Sequence, residues 1–203
     1  YLKNNKKNKN KLFEEIYYDE IKLDNSDEKV ELAINFNENE ESSIDTFCNS
    51  IVTNFGGTHE ISMKNAIMKS VRFFAKHNQI SKISNVSQQD FFEYSNIILS
   101  LYVSNPSFEG QTKQKLSMPS IQAKLEKKIL ESFSLWLSTN KKKSKLLIEK
   151  LIERSLLRSN LSKIKDLERK TSIEKHRLPG KLVDCSSSKI TNTELFIVEG
   201  DSA

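Results

Sequence analysis

Long apolar runs are missing from this chain of 203 residues. Its apolar stretches span only a few positions, as in Ile97-Ile98-Leu99, whereas a membrane-spanning helix needs about 20 apolar residues. We therefore expect no transmembrane helix and no membrane partner. No secretory or transit signal is visible. Hydrophobic residues make up 36% of the chain and charged residues 29%, which predicts a folded domain with a highly charged surface.

Cysteine is also scarce, and glycine fingerprints for nucleotides are missing. Cys48 and Cys185 lie far apart and outside any metal-binding spacing, which predicts free thiols in a reducing compartment. Without a P-loop or a dinucleotide fingerprint, we expect that the chain does not bind nucleotide by itself. His59 has no second histidine at ligand spacing, which favours a contact at a helix entry over catalysis or metal binding.

Positive charge is concentrated in the second half of the chain. Residues 113–181 contain 19 Lys and Arg against 7 Asp and Glu, whereas the rest of the chain contains 13 basic and 20 acidic residues. This polarity indicates an anionic partner, of which nucleic acid is the obvious candidate. The alternative is that lysine-rich helices merely have solvated faces.

The first half of the chain predicts strands followed by a helix. Apolar residues alternate strictly over residues 30–36, which is typical of a half-buried strand. Residues 37–43 form a polar turn, and residues 47–52 are predicted as the returning strand of a hairpin. The sequence Gly56-Gly57-Thr58 then predicts a turn into a helix cap.

The second half predicts a strand, two helices and a new domain. Residues 97–103 form the strand. The next helix carries one apolar stripe, with Trp136 beside it in the core. A longer helix over about residues 145–170 is predicted to turn Leu147, Leu151, Leu157, Leu161 and Ile164 inward. A Pro-Gly turn at residues 178–181 begins a new domain, and residues 194–198 form its strand. Together these elements predict a two-layer α/β domain with a tail.

Two segments could carry chemistry, and the first is the loop from Gly110 to Lys115. Lys113 offers a mobile charge and Gln111 offers amide donors, and both side chains can reach a terminal phosphate and stabilise charge during its transfer. Gly110 lets the loop approach a ligand closely. A simple polar turn is the alternative.

The second segment is the apolar run that ends in Glu199-Gly200-Asp201. A carboxylate after a buried strand is a standard way to hold a divalent metal beside a phosphate. One carboxylate does not hold magnesium tightly, so the partner acids of Glu199 are expected beyond Ala203. The alternatives are a structural strand-end glutamate and, for Asp201, a cap of the following helix. Stopping within this motif, and opening on Tyr1 rather than Met, suggests a piece of a longer polypeptide.

Four strings, in this order, resemble the B subunits of type IIA DNA topoisomerases, namely DNA gyrase and its close relative topoisomerase IV. The strings are Gly56-Gly-Thr-His-Glu60, Phe108-Glu-Gly-Gln-Thr-Lys113, Leu178-Pro-Gly-Lys-Leu-Val-Asp-Cys185 and Leu195-Phe-Ile-Val-Glu-Gly-Asp-Ser-Ala203. The resemblance implies that residues 1–172 are a transducer domain, incomplete at its amino terminus, with an α/β fold described as a left-handed βαβ sandwich. It implies that residues 173–203 are a linker and the start of a TOPRIM domain.

The resemblance also implies an activity, with its cofactors and partners. It implies an ATP-dependent gyrase that negatively supercoils DNA, in which Lys113 and Gln111 contact the ATP γ-phosphate and Glu199 is the first magnesium ligand and a catalytic residue. The implied partners are DNA, the A subunit in an A2B2 assembly, and a second B subunit on ATP binding. Topoisomerase IV, or a non-catalytic basic nucleic-acid-binding module, is the alternative. This chain alone is expected to be inactive.

The implied compartment is the bacterial cytoplasm or an organelle of bacterial descent, such as a plastid or apicoplast. The chain departs from the family at residues 88–95, where relatives usually carry an Asp-Arg-Glu-Gly-Leu type string, and at residues 116–119, which replace a Leu-Gly-Asn turn. We expect these departures to alter the packing of the loop before the third strand.

Overall fold

The computed structural model describes residues 11–23, 27–38 and 42–175, with side chains as far as residue 164. The chain divides into two compact units, Tyr1–Arg158 and Ser159–Ala203. The elements are β1 (Tyr17–Lys22), β2 (Lys29–Phe36), β3 (Ser43–Cys48), β4 (Ile51–Val52), α1 (Thr58–His77), α2 (Gln88–Phe92), β5 (Ser95–Tyr102), α3 (Pro119–Thr139) and α4 (Lys141–Lys175), with a 3-10 turn at Ile83–Asn85.

The five strands form one mixed sheet in the order β1-β2-β5-β3-β4. β2 pairs antiparallel with both β1 and β5, and β3 pairs parallel with β5. The strand predicted over residues 30–36 is confirmed, but the hairpin that was to join it to the next strand is wrong. β5 lies between them, because its eight-residue register with β2 sets apolar residues opposite one another, Leu32 beside Leu99 and Ile34 beside Ile97. The single strand predicted over residues 47–52 is also wrong, because a turn at residues 49–50 divides it between β3 and β4.

One face of the sheet carries the core. Strict alternation along β2 and β5 places every second side chain on this face, and six of them have no solvent exposure. The six are Val30, Leu32, Ile34, Ile97, Leu99 and Leu101. This confirms a mixed α/β fold with helices packed on a sheet. The left-handed sense of the connection from β3 through α1 to β5 stays a prediction.

Helices α1 and α3 pack against each other over this core. The predicted stripe of α3 is confirmed, because its buried residues are Ile121, Leu125, Ile129, Phe133 and Leu137. Small residues on α1 permit close approach, as the Ser70 hydroxyl donates to the Leu130 carbonyl oxygen of α3 at 3.2 Å. Trp136 is partly buried and stacks on Phe133 with ring centroids 5.5 Å apart, so it packs against the edge of the core, close to its predicted place.

Helix α4 is longer than predicted, and part of its predicted inward face is wrong. Leu147 and Leu151 are buried as expected, but Leu157, Leu161 and Ile164 are 55%, 58% and 51% exposed. A helix turns by about 100° per residue. The positions that share a face with 147 and 151 are therefore 154 and 158, and not 157 and 161. Arginines, not leucines, occupy those two inward positions.

Two further observations concern the described part of the chain. Among these residues no helix is long and apolar enough to cross a membrane. Cys48 is a free buried thiol, and burial raises its pKa to about 11, which makes it unreactive at neutral pH. Cys185, the turn at 178–181 and the strand at 194–198 lie outside the described residues, and the domain boundary near 172 stays a prediction.

Candidate functional site

The loop that carries Gln111 and Lys113 has a base made of backbone hydrogen bonds. Its two arms run side by side, and one arm also bonds to the turn before α1. The bonds run from the Glu109 amide to the Lys115 carbonyl (2.9 Å), Ser117 to Ser107 (2.9 Å), Phe55 to Gln114 (2.9 Å), Leu116 to Gly56 (3.0 Å) and Thr58 to Leu116 (3.0 Å). Buried Leu116 lies at the centre of this network. The base of the loop is therefore attached to the start of α1.

Gly57 makes this contact possible. Its φ of 134° and ψ of −156° belong to a region that only glycine adopts readily. A Cβ atom on Gly57 would lie 2.2 Å from the carbonyl oxygen of Leu116 and 2.6 Å from its nitrogen. No side chain therefore fits between the turn and the loop.

Thr58 was expected to form part of a helix cap, and it has a different role. The N-cap residue of α1 is Gly57, and no side chain caps the helix. The Thr58 hydroxyl instead accepts a hydrogen bond from the Met118 amide at 3.0 Å. The predicted turn into a helix is thus confirmed, while the threonine adds a bond between α1 and the α3 end of the loop.

The tip of the loop is exposed, in contrast to its base. Gln111, Thr112 and Lys113 all lie in solvent. Lys113 has a left-handed backbone with φ of 54°, and Gly110 has φ of 78° with no atom near the position of a Cβ. Nearby Lys115 pairs with Glu109 at 2.7 Å, whereas within the described residues Lys113 has no ion-pair partner. Lys113 is therefore available to an anion from outside this unit.

An open pocket of about 400 Å³ lies beside the tip. Its lining residues are Phe55, Glu109, Thr112, Gln114 and Lys115. Phe55 is 70% exposed, so an apolar ring and several polar groups face solvent together. The pocket is therefore open to solvent and lined by both apolar and charged groups.

His59 lies behind the base of the loop and is fully buried. Its Nε2 atom is 3.1 Å from the Thr53 hydroxyl, and its Nδ1 atom has no hydrogen-bond partner. Burial lowers the pKa of His59 to about 4, although Glu60 opposes the shift, so the imidazole is neutral at pH 7. The described residues contain no cluster that could hold a metal ion, and the expected contact at the helix entry fits this geometry.

The proposed metal ligand Glu199 lies outside the described residues, as do Asp201 and Lys181. The basic half of the chain is represented by α3 and α4, on which Lys127, Lys141, Lys142 and Lys145 are exposed. Sequence reasoning missed two features: the close contact of Gly57 with Leu116, and the contacts of two α4 arginines with the segment between α1 and β5. Ser87-x-x-Asp90, a capping-box pattern, could have signalled part of the second.

Comparisons with known proteins agree with this fold. The family model for DNA gyrase B matches residues 1–167. The B subunit of topoisomerase IV from Rickettsia bellii is 36% identical over 190 residues, which cover 93% of this chain and 29% of that protein. The B subunit of DNA gyrase from Clostridium acetobutylicum is 36% identical over 200 residues, which cover 97% of this chain and 31% of that protein. The chain thus spans about a third of these relatives or less.

Solved structures show the same fold. The 43K ATPase domain of Thermus thermophilus gyrase B, in complex with an aminocoumarin, has a TM-score of 0.69 and 24% identity, covering 78% of this chain and 42% of that one. The topoisomerase IV ATP-binding domain of Francisella tularensis has a TM-score of 0.64 and 24% identity, covering 72% and 41%. Taken with the match of the family model, these findings place the chain in the DNA gyrase B family, the B subunits of type IIA topoisomerases.

Proposed function

We propose that this chain is the transducer part of an ATP-dependent type IIA topoisomerase, and that Lys113 and Gln111 contact the γ-phosphate of ATP bound by another module. One observation carries the proposal: the exposed ammonium group of Lys113, unpaired within the described residues, lies at the tip of a loop whose base is bonded to the start of α1. The arrangement joins an available cation to a rigid element.

The proposed contact between Lys113 and the γ-phosphate makes the position of the loop depend on the state of the nucleotide. A lysine ammonium is a mobile point charge that suits a terminal phosphate. Hydrolysis and release of phosphate remove the anion that Lys113 contacts, so the loop favours one position before hydrolysis and another after it. A charge-assisted hydrogen bond contributes about 1.5–3 kcal/mol, enough to shift an equilibrium by about 10- to 150-fold.

The test is Lys113→Ala in the intact B subunit assembled with its A subunit. We expect ATP turnover and strand passage to fall at least tenfold while DNA binding is retained, because Lys113 lies in the nucleotide contact rather than on the DNA surface. Lys115→Ala is the matched control, since Lys115 lies on the same loop but pairs with Glu109. Normal ATP turnover in Lys113→Ala would exclude the proposed role.

For residues 173–203 we propose the linker and start of a TOPRIM domain, with Glu199 as a magnesium ligand that supports DNA cleavage. The proposal comes from the sequence, where Glu199 ends an apolar run before Gly200-Asp201. Bound Mg²⁺ would stabilise charge on a reacting phosphate. Glu199→Gln is expected to stop DNA cleavage and spare ATP hydrolysis, and unchanged magnesium-dependent cleavage would count against it.

The finer assignment is to a gyrase that negatively supercoils DNA, acting in an A2B2 assembly in which B subunits dimerise on ATP binding. Relatives of both kinds, gyrase and topoisomerase IV, are 36% identical to the chain, so topoisomerase IV is a second candidate. Reconstituted enzyme tested on relaxed circular DNA and on linked circles separates the two, because a gyrase introduces supercoils and topoisomerase IV chiefly unlinks. We place the enzyme in the bacterial cytoplasm or in an organelle of bacterial descent.

A non-catalytic nucleic-acid-binding module is favoured only by the basic excess of residues 113–181. Such a module would bind DNA with a strong dependence on salt and would show no dependence on ATP. DNA binding by the intact protein that is insensitive to both ATP and Lys113→Ala, without strand passage by the assembled enzyme, would favour this module.

A further inference from the structure

Two arginines on the inner face of α4 bind the segment that connects α1 to β5. Arg154 and Arg158 are four residues apart and so lie on the same side of the helix. Toward the amino-terminal end of α4 the same face is apolar, and Leu147 and Leu151 are buried. Arg158 is also the last residue of the first compact unit. The inner face of α4 thus changes from leucine to arginine where that unit ends.

Arg158 makes a two-pronged ion pair with Asp90. Its Nε atom donates to Asp90 Oδ1 at 2.8 Å, and one terminal nitrogen donates to Asp90 Oδ2 at 3.0 Å and to the Asn85 carbonyl oxygen at 3.1 Å. The Asp90 side chain is 3% exposed and also accepts bonds from the Ser87 amide and hydroxyl. Burial would raise the pKa of Asp90, but the bonds from Arg158 and Ser87 outweigh it and hold that pKa below its ordinary value.

Arg154 is held by a ring and a carbonyl group instead of a carboxylate. It is 7% exposed, and its guanidinium group lies 3.6 Å from the centroid of the Tyr94 ring. One terminal nitrogen donates to the Asn37 carbonyl oxygen at 2.6 Å, at the end of β2. Burial lowers the pKa of Arg154, although the guanidinium keeps its charge at neutral pH. We call Arg154 and Arg158, with Asp90, Tyr94 and Asn37, the arginine clasp.

Stability alone does not account for the arginine clasp. The Asp90 carboxylate is buried and the Arg158 side chain is 40% exposed. Replacing both partners of such a pair by apolar residues of similar volume is often neutral or stabilising, so apolar side chains at positions 90, 154 and 158 together would also attach α4. What an arginine adds is geometry, because its planar fork fits a carboxylate in one orientation and its flat face stacks on an aromatic ring. The clasp therefore fixes the rotation and register of α4 as well as its attachment.

The clasped segment also connects to the loop that carries Lys113. Residues 78–94 follow α1 directly, and the start of α1 is bonded to the base of that loop. On the proposed function, a change at Lys113 moves α1. We propose that the arginine clasp passes this movement to α4, so that Arg154 and Arg158 are positioning residues for the coupling of ATP hydrolysis to strand passage.

The test measures how many ATP molecules the assembled enzyme hydrolyses for each strand-passage event. Asp90→Asn removes the charge and keeps the size of the side chain, and Arg158→Lys keeps the charge but loses the fork. For both we expect ATP hydrolysis within about twofold of the unaltered enzyme and strand passage at least about fivefold slower, so that ATP used per event rises. Lys150→Gln is the control, because it breaks an exposed pair with Glu153 on the same helix and leaves the partners of Arg154 and Arg158 in place.

Tyr94 provides a second pair of variants in case the ion-pair variants do not fold. Tyr94→Phe keeps the ring that stacks on Arg154, so the number of ATP molecules hydrolysed per strand-passage event should stay normal. Tyr94→Leu loses the ring, so this number should rise. Thermal unfolding of each variant identifies those that are folded at the assay temperature. A normal ratio in folded Asp90→Asn, Arg158→Lys and Tyr94→Leu overturns the inference, and so does a proportional fall of both activities.

Failure of the proposed function gives a different result from failure of this inference. If the unaltered enzyme shows no ATP-coupled strand passage, or if Lys113→Ala turns over ATP normally, the proposed function fails. If Lys113→Ala is inactive and the variants of the arginine clasp keep the normal ratio, only the clasp is wrong.

Discussion

The base and the tip of the loop at residues 107–117 differ in almost every physical respect. At the base, backbone groups bond to one another and to the turn before α1, around a buried leucine. At the tip, Gln111, Thr112 and Lys113 are exposed. One short motif thus holds two kinds of residue: the base residues decide where the loop lies, and the tip residues decide what it binds.

The largest effect on stability is expected from Gly57→Ala, which introduces a side chain at the base of the loop. Its Cβ would lie 2.2 Å from a backbone oxygen of Leu116, and its φ of 134° is strained for any side chain. Together these should lower the free energy of unfolding by at least about 3 kcal/mol. Gly110→Ala at the tip is the control, because no atom lies near the position of its Cβ. Only the positive φ of 78° disfavours alanine there, which should lower the free energy of unfolding by about 1 kcal/mol. If urea denaturation showed the same decrease in the free energy of unfolding for Gly57→Ala and Gly110→Ala, the proposed difference between base and tip would be wrong.

A medium effect, dependent on pH, is expected from His59 behind the base. Its pKa is about 4 in the folded chain, against an ordinary value of 6.5, because burial disfavours the charged form. The unfolded chain therefore takes up a proton first, so stability is fully present above pH 6.5 and declines as the pH falls toward 4. Between about pH 7.5 and 4.5 this amounts to about 2–3 kcal/mol.

The check on His59 compares the unaltered chain with His59→Gln, which cannot titrate. The difference between their free energies of unfolding, measured in urea at both pH values, should shrink by that amount at the lower pH. Other titrating groups cancel in the comparison. A difference independent of pH would mean that His59 is not buried as a neutral group.

The smallest effect is expected from the ion pair of Lys115 with Glu109 beside the tip. The two side chains are 48% and 64% exposed, and exposed pairs contribute about 0–1 kcal/mol because solvent screens them. Glu109→Gln should therefore change the thermal unfolding midpoint by no more than about 4 °C. A larger change would show that the arms of the loop depend on this pair as well as on backbone bonds.

Local patterns in the sequence predicted several elements well. Apolar positions four residues apart located the stripe of α3, because a helix brings such residues to one face. Alternation located β2, since successive side chains of a strand point to opposite faces. The strand β1 was missed, although Tyr17 and Ile21 are buried, because its polar residues obscure the pattern.

The roles of the candidate site residues stay predictions. The string Gln111-Thr112-Lys113 indicated a phosphate-binding loop, and the structure places its side chains in solvent, where an external anion can reach them. The base of the loop was not predicted, because it depends on a carbonyl oxygen of Leu116 that is 58 residues from Thr58 in sequence. Glu199 stays a prediction outside the described residues.

Spacing along the chain was enough to locate most helices and strands and many of the residues that face the core. Neighbours in sequence share one backbone geometry, so these properties can be read locally. The folded core, by contrast, set β5 between β2 and β3, brought Gly57 against Leu116, and paired Arg158 with Asp90 across 68 residues. Such contacts depend on how elements that are distant in sequence pack together, and the spacing of residues within one element does not specify that packing.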